Sequence, residues 1–200
     1  MDTLKRRVLF RWVWLWSVVI PILISSPAHQ AAALDFSAER IVKSGKTVVR
    51  AHVNAKDDRW RFEFAEPQGG ASIIIVRKDR NASWLILSRW RQYAEVPIAK
   101  NHMLQTSGTM EGELSREFIG AELLNGHPTE LFEVTVSENG DLRHYFQWIT
   151  TAQRFPVKTI SKEDNWSEEY QRLMFIEQSM FLFELPLRFD PLDRSAKIQQ

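Results

Sequence analysis

The residues able to do acid–base or metal chemistry are scattered through this sequence. His52, His102, His127 and His144 stand far apart, and each reads as a solvated strand or turn residue rather than a ligand or a base. The acidic pairs Glu163-Asp164 and Glu168-Glu169 fall near turns and read as a solvated rim. No G-x-S-x-G, no H-E-x-x-H, no phosphate-cradling loop and no dinucleotide fingerprint occurs. There is no cysteine, which rules out disulfides, thiolate zinc sites, a cysteine nucleophile and lipid attachment at a cysteine. The expectation is a non-enzyme with no cofactor and no metal. Arg50, Arg59, Arg61 and Arg77 sit on early strands, where one of them is placed to latch a lid by bonding its carbonyls.

The chemistry that remains is apolar. Burying a methylene is worth about 0.8 kcal/mol, so a sixteen-carbon chain exposed to water carries roughly 12 kcal/mol of unfavourable hydration. A protein that holds such a chain must offer a dry, concave surface. Trp60, Phe62, Phe64, Ile73, Ile75, Trp84, Ile86, Phe146 and Trp148 are the residues expected to line it. The competing expectation is that they simply fill a packed core, as in most small barrels.

Strands must position these side chains. Residues 47–55 and 59–64 alternate, with Trp60, Phe62 and Phe64 opposed to Arg59, Arg61 and Glu63, as half-buried antiparallel strands do. Residues 71–77 and 84–87 instead carry unbroken apolar runs, Ile73 to Val76 and Trp84 to Leu87. A strand apolar on both faces needs both faces covered. Asn125-Gly126 and Asn139-Gly140 mark two tight hairpin turns, because Asn and Gly tolerate positive φ. Between them Phe132, Val134 and Val136 share one face; after them Leu142, His144, Phe146 and Trp148 alternate with Arg143, Tyr145, Gln147 and Ile149. Residues 36–43 are ambiguous between helix and strand, and Leu182 to Pro186 reads as a last short strand. The pattern stops from 99 to 116, where Met103, Leu104, Met110 and Leu114 are scattered among glycines and polar residues. That segment is either a mobile connector or a soft apolar lid. The sum is a mainly β domain: a single antiparallel, strongly curved sheet of about ten or eleven strands, forming an unclosed β-barrel with a short loop or helical lid.

The formal net charge of +1 hides an asymmetry. Residues 1–33 hold Lys5, Arg6, Arg7 and Arg11 against Asp2, a net of +3, leaving the rest at −2 and excluding the concentrated positive surface of a nucleic-acid binder. The basic start, the apolar run from Trp12 to Ile24 and the Ala31-x-Ala33 site read as a cleaved secretory signal over residues 1–33. The alternative is an uncleaved anchor, although the run is shorter than the roughly 20 residues a spanning helix needs. Residues 34–188 are then the working domain, expected in a bacterial periplasm as a monomer with no membrane span of its own, and 189–200 a polar tail.

Three stretches together carry a resemblance: WRFEF before IIIVR, the block WLILSRWRQYAEVPI, and IGAELLNGHPTELFEVTV followed by YFQWI, FPVKTI and WSEEY. Over most of residues 36–186 the chain resembles the LolA-like periplasmic lipoprotein-carrier superfamily, in particular an uncharacterised secreted branch. The resemblance implies an unclosed antiparallel barrel with an apolar interior and a covered mouth, and it implies binding or carriage of acyl chains. Segment 99–116 departs from the carriers' well-formed lid helices, being shorter and interrupted by glycine. Two functions follow as expectations: a binding or carrier protein for a lipid or a lipoprotein acyl chain, or a non-catalytic envelope module that pairs a barrel edge with another envelope protein.

Overall fold

A computed structural model describes residues 34–192. The leader read at 1–33 and residues 193–200 of the tail lie outside the described residues. Twelve strands are present: Phe36–Ser44 (β1), Thr47–Lys56 (β2), Arg59–Gln68 (β3), Ala71–Arg77 (β4), Ala82–Leu87 (β5), Gln92–Val96 (β6), Glu113–Leu124 (β7), His127–Glu138 (β8), Asp141–Thr150 (β9), Pro156–Ser161 (β10), Trp166–Met174 (β11) and the two-residue Asp190–Pro191 (β12). They form one sheet in the order β12-β6-β5-β4-β3-β2-β1-β11-β10-β9-β8-β7, antiparallel throughout except where β12 joins β6. The sheet is not closed into a barrel: β7 ends one edge and β12 the other.

Local chemistry explains most of the hairpins. Asn125 and Gly126 sit at φ 51° and 85°, and Asn139 and Gly140 at 53° and 92°, the left-handed pair that matches the twist of two-residue hairpins. Residues 36–43, indecisive on pattern alone, are a strand because β1 is paired on one side by β2 and on the other by β11. Long-range pairing overrides a weak local preference there.

The sheet curls hard. Asn125, in the β7–β8 turn, donates to the Tyr170 carbonyl on β11 at 3.0 Å, and His127 lies 3.0 Å from the Leu173 carbonyl. A flat sheet would hold β8 and β11 about 14 Å apart, three strand spacings of nearly 4.8 Å. Inside the curl lies the main core, built on Phe36, Val53, Trp60, Phe62, Ile74, Phe155 and Tyr170, with Leu124 and Phe175 packed against it. A second inner cluster, Phe132, Val134, Val136, Tyr145 and Ile149, lines the β8–β9 half.

The connection from β6 to β7 must cross the sheet, since the two strands lie at opposite ends of the order. Residues 97–112 do this as a strap over the inner face, opening with a 3-10 turn at Lys100–His102. Sixteen extended residues reach about 50 Å, enough to span it. The Trp60 indole donates to the His102 carbonyl at 2.7 Å, His102 Nδ1 lies 3.2 Å from Ser83 Oγ, and Arg116 donates to the Gly108 carbonyl at 2.6 Å. Gly108 is pressed so close that a Cβ there would stand 2.9 Å from the Arg154 carbonyl oxygen. The lid expected at 99–116 is therefore shorter at its far end, because residues from Glu113 onward have joined β7.

The outer face of β4 and β5 has its own cover. The chain leaving β11 turns back across it, and Leu182, Phe183, Leu185 and Phe189 pack on Ile73, Ile75, Trp84 and Ile86. Leu182 to Pro186 is not the expected short strand. Met180–Phe183 forms a 3-10 turn, which drives Phe183 into the outer cluster, and strand pairing resumes only at β12. Phe189, placed at the start of the tail by pattern, is packed against that cluster.

Candidate functional site

A cavity of about 590 Å³ opens between the strap and the inner face of β1–β4. Its walls are Val42, Val49, Phe62, Phe64 and Ile74, with Trp166 from β11, and Lys100, Asn101, His102 and Met103 of the strap form the roof. Alternation places these wall residues together: Val42 pairs with Val49, and Phe62 with Ile74, across neighbouring strands. The Phe62 and Phe64 rings stack at 6.2 Å with 12° between their planes, making a continuous aromatic wall. The volume falls within the roughly 300–1,000 Å³ typical of small-molecule sites.

One polar group enters from the floor. Arg40, on β1, lays its guanidinium 5.5 Å over the Phe62 ring and donates through Nε to Glu168 at 2.6 Å. The Tyr170 hydroxyl donates to the same carboxylate oxygen at 2.7 Å. Burial pushes the Tyr170 hydroxyl well above its ordinary pKa of 10.0, so it remains a donor. Glu168, expected on a solvated rim, is instead part of this inner network. The first half of β11 turns Trp166, Glu168 and Tyr170 inward, and the carboxylate has found two donors there. A second buried network lies under the far half of the strap, where Arg116 bonds Glu113 and Gln147. Arg116 Nη1 and Gln147 Nε2 are left without protein partners.

The nine residues expected to line one surface divide among three places. Trp60, Phe62 and Phe64 are on the inner face; Phe62 and Phe64 touch the cavity, while Trp60 lies in the core beside it and ties down the strap. Ile73, Ile75, Trp84 and Ile86 are on the outer face, under the C-terminal cover. Phe146 and Trp148 also point outward, beneath Lys162 and Lys158 respectively, and Trp148 bonds Glu122 through its indole nitrogen. Of the four residues expected in the lid, Met103 touches the cavity, Leu104 is buried in the core, Met110 packs on the second inner cluster, and Leu114 lies outside the strap, 63% exposed on β7. Of the four arginines expected to include a lid latch, Arg61 and Arg77 bond carbonyls, and they do so at the outer cover: Arg61 donates to the Leu182 carbonyl at 3.3 Å and Arg77 to that of Phe183 at 3.2 Å.

A signal for Phe146 and Trp148 was present in the sequence. The two-residue turn at Asn139-Gly140 pairs Glu138 with Asp141, which puts Val134 opposite Tyr145 and Phe132 opposite Gln147. With Phe132 and Val134 inward, Phe146 and Trp148 must face out. No comparable signal marked Ile74 over Ile73 and Ile75, because β3 and β4 change register between Glu63 and Gln68. Arg40 was missed because its strand was not recognised.

Comparison with solved structures decides the fold. MucB superposes with a TM-score of 0.52 at 8% identity, covering 78% of this chain and 58% of the MucB chain. The chain has the fold of MucB. It spans less than two thirds of MucB's length. MucB has also been solved in complex with MucA from Pseudomonas aeruginosa. Solved structures similar to this chain also include the lipoprotein LppX of Mycobacterium tuberculosis, with a TM-score of 0.48, 13% identity, and coverage of 76% of this chain and 90% of that one. Another is a putative outer membrane lipoprotein-sorting protein domain from Vibrio parahaemolyticus, with a TM-score of 0.36, 11% identity, and coverage of 76% and 89%. No protein-family model matches the chain, and no curated protein does.

Proposed function

We propose that this chain binds a hydrophobic ligand, an acyl chain of a lipid or lipoprotein, in the cavity beneath the strap, and works as a binding or carrier protein in the periplasm. The observation that carries this is the cavity itself: apolar side chains on its walls, a soft methionine in its roof, and about 590 Å³ left unfilled by protein. Packed interiors leave few voids larger than a water molecule, so an apolar space of that size in a curled sheet is a feature to explain. Over the cavity the cover is exposed Lys100 and Asn101 with His102 and Met103, which supports entry from the strap side. The test is native mass spectrometry of protein purified without detergent. The expected result is a stoichiometric lipid adduct that is lost on solvent extraction and regained with lipid. A dry protein that takes up neither lipid nor an apolar dye contradicts the proposal.

A second function, pairing of an envelope protein with the sheet edge, is favoured by β7. This edge strand is twelve residues long and leaves Leu114, Phe118, Ile119 and Leu123 exposed to solvent. Long apolar edges invite a partner strand, and MucB, which shares the fold, forms a complex with MucA. Phe118→Lys distinguishes the two functions: it abolishes capture of a partner strand while lipid recovery is unchanged.

A further inference from the structure

The cavity is apolar in its walls but not neutral. Its lining includes Arg40 and Lys100 and no carboxylate. Glu168, the acid nearest to Arg40, is engaged on one oxygen by Arg40 Nε and by the Tyr170 hydroxyl. The Arg40 guanidinium, 16% exposed, also interacts with the Tyr170 hydroxyl, and it lines the cavity beside Phe62. The Lys100 ammonium forms no ion pair with any described residue, and Lys100 stands in the roof of the same cavity. Gln68, the other long polar side chain there, donates back to the Glu66 carbonyl at 2.9 Å. Two positive charges thus border a space otherwise walled by Phe62, Phe64 and Ile74. An oxyanion complements them best: a guanidinium or ammonium donates charge-assisted hydrogen bonds to a carboxylate or phosphate.

Resting on the carrier proposal above, we propose that the ligand is a single-chain amphiphile with an anionic head group. Its carboxylate or phosphate sits between Arg40 and Lys100, and its tail runs along Phe62, Phe64 and Ile74. The size of the cavity fits one chain. A methylene fills close to the roughly 30 Å³ of a liquid water molecule, so the space holds about 20 non-hydrogen atoms. That suffices for one long acyl chain and its head.

The test uses the delipidated full chain titrated at pH 8 by isothermal calorimetry with hexadecanoate, hexadecyl phosphate and hexadecan-1-ol, each below its aggregation limit. At least one of the two anions is expected to bind about ten-fold or more tightly than the alcohol, the scale of a charge-assisted hydrogen bond. Which anion binds better identifies the head as carboxylate or phosphate. Lys100→Ala, a surface change that leaves the sheet intact, lowers anion affinity several-fold and leaves the alcohol within two-fold. Arg40→Met combined with Glu168→Gln removes the guanidinium without stranding its carboxylate, and abolishes the preference; a urea midpoint confirms that this variant folds. Equal affinity for all three ligands, or a preference that survives both variants, overturns the anionic head group while the carrier proposal stands. No binding of any of the three overturns both.

Discussion

The two faces of β4 carry nearly the same side chains and meet opposite fates. On the outer face, Ile73 and Ile75 pair with Ile86 and Trp84 and are sealed by Leu182, Phe183, Leu185 and Phe189. On the inner face, Ile74 pairs with Phe62 and looks into an open cavity beneath a strap. The outer cover inserts aromatic and aliphatic side chains and is pinned through its carbonyls by Arg61 and Arg77. Over the cavity, the inner cover contributes Lys100, Asn101, His102 and Met103, and is held by one indole bond and one histidine contact. An apolar strand face is therefore no guide to ligand binding. What covers it, and how completely, decides between core and site.

The largest expected effect lies on the sealed face. Phe183 is wholly buried, so Phe183→Ala costs about 3–5 kcal/mol in urea denaturation, the range of large aromatic deletions, and leaves acyl binding by the folded protein unaltered. Arg77 comes next. It is 3% exposed and bonds Asp79, Glu184 and the Phe183 carbonyl, so Arg77→Met costs about 2–3 kcal/mol by the same assay. The hydrogen bond from Arg77 holds the Asp79 carboxyl at about 2, below its ordinary 3.8. A depressed carboxyl stabilises the fold above its unfolded pKa. The contribution is thus full above pH 4 and lost as pH falls towards 2, and Arg77→Met flattens that part of the stability–pH profile.

On the open face the order of effects reverses. Phe64→Ala removes half of the stacked wall at a partly exposed position. It lowers acyl affinity about ten-fold in calorimetry while shifting stability by less than about 1.5 kcal/mol. Trp60→Phe keeps most of the ring and loses the bond to the His102 carbonyl. About 1 kcal/mol of strap closure goes with it, seen as faster amide exchange over residues 97–112. Burial holds the His102 imidazole below its ordinary 6.5. Its neutral form is favoured with the strap closed, so closure is complete above pH 6.5 and weakens as the pH drops below that value. Amide protection over the strap at pH 7.5 and pH 5, with the intrinsic pH dependence of exchange divided out, reads this.

Much of the architecture was legible in the sequence. Alternation marked β2, β3 and β8, and the Asn-Gly turns fixed the β7–β8–β9 meander, because local sterics alone decide those features. The candidate site was legible only in part. Phe62 and Phe64 sit on an alternating strand and were assigned to the right face, whereas the run Ile73 to Val76 has no alternation to read. Its register depends on an irregularity between Glu63 and Gln68 that no residue type announces. Arg40 and Glu168 meet across 128 positions of sequence, through a β1–β11 pairing that joins the first strand to the eleventh in the middle of the sheet. The cover of the outer face had a local cue, Leu182-Phe183-Glu184-Leu185-Pro186. Its apolar residues read as a strand, but they form a turn that packs Phe183 on the outer face of β4 and β5.

The distinction between the two faces can be tested with an acyl chain carrying a photoreactive diazirine near its end. The chain is loaded into the full-length protein, irradiated and mapped by peptide fragmentation to single residues. Labels are predicted on Phe62, Phe64, Ile74 or Met103. Labels on Trp84, Ile86 or Phe183 of the outer face, or on Phe146 and Trp148, would contradict the assignment of the inner cavity as the binding site.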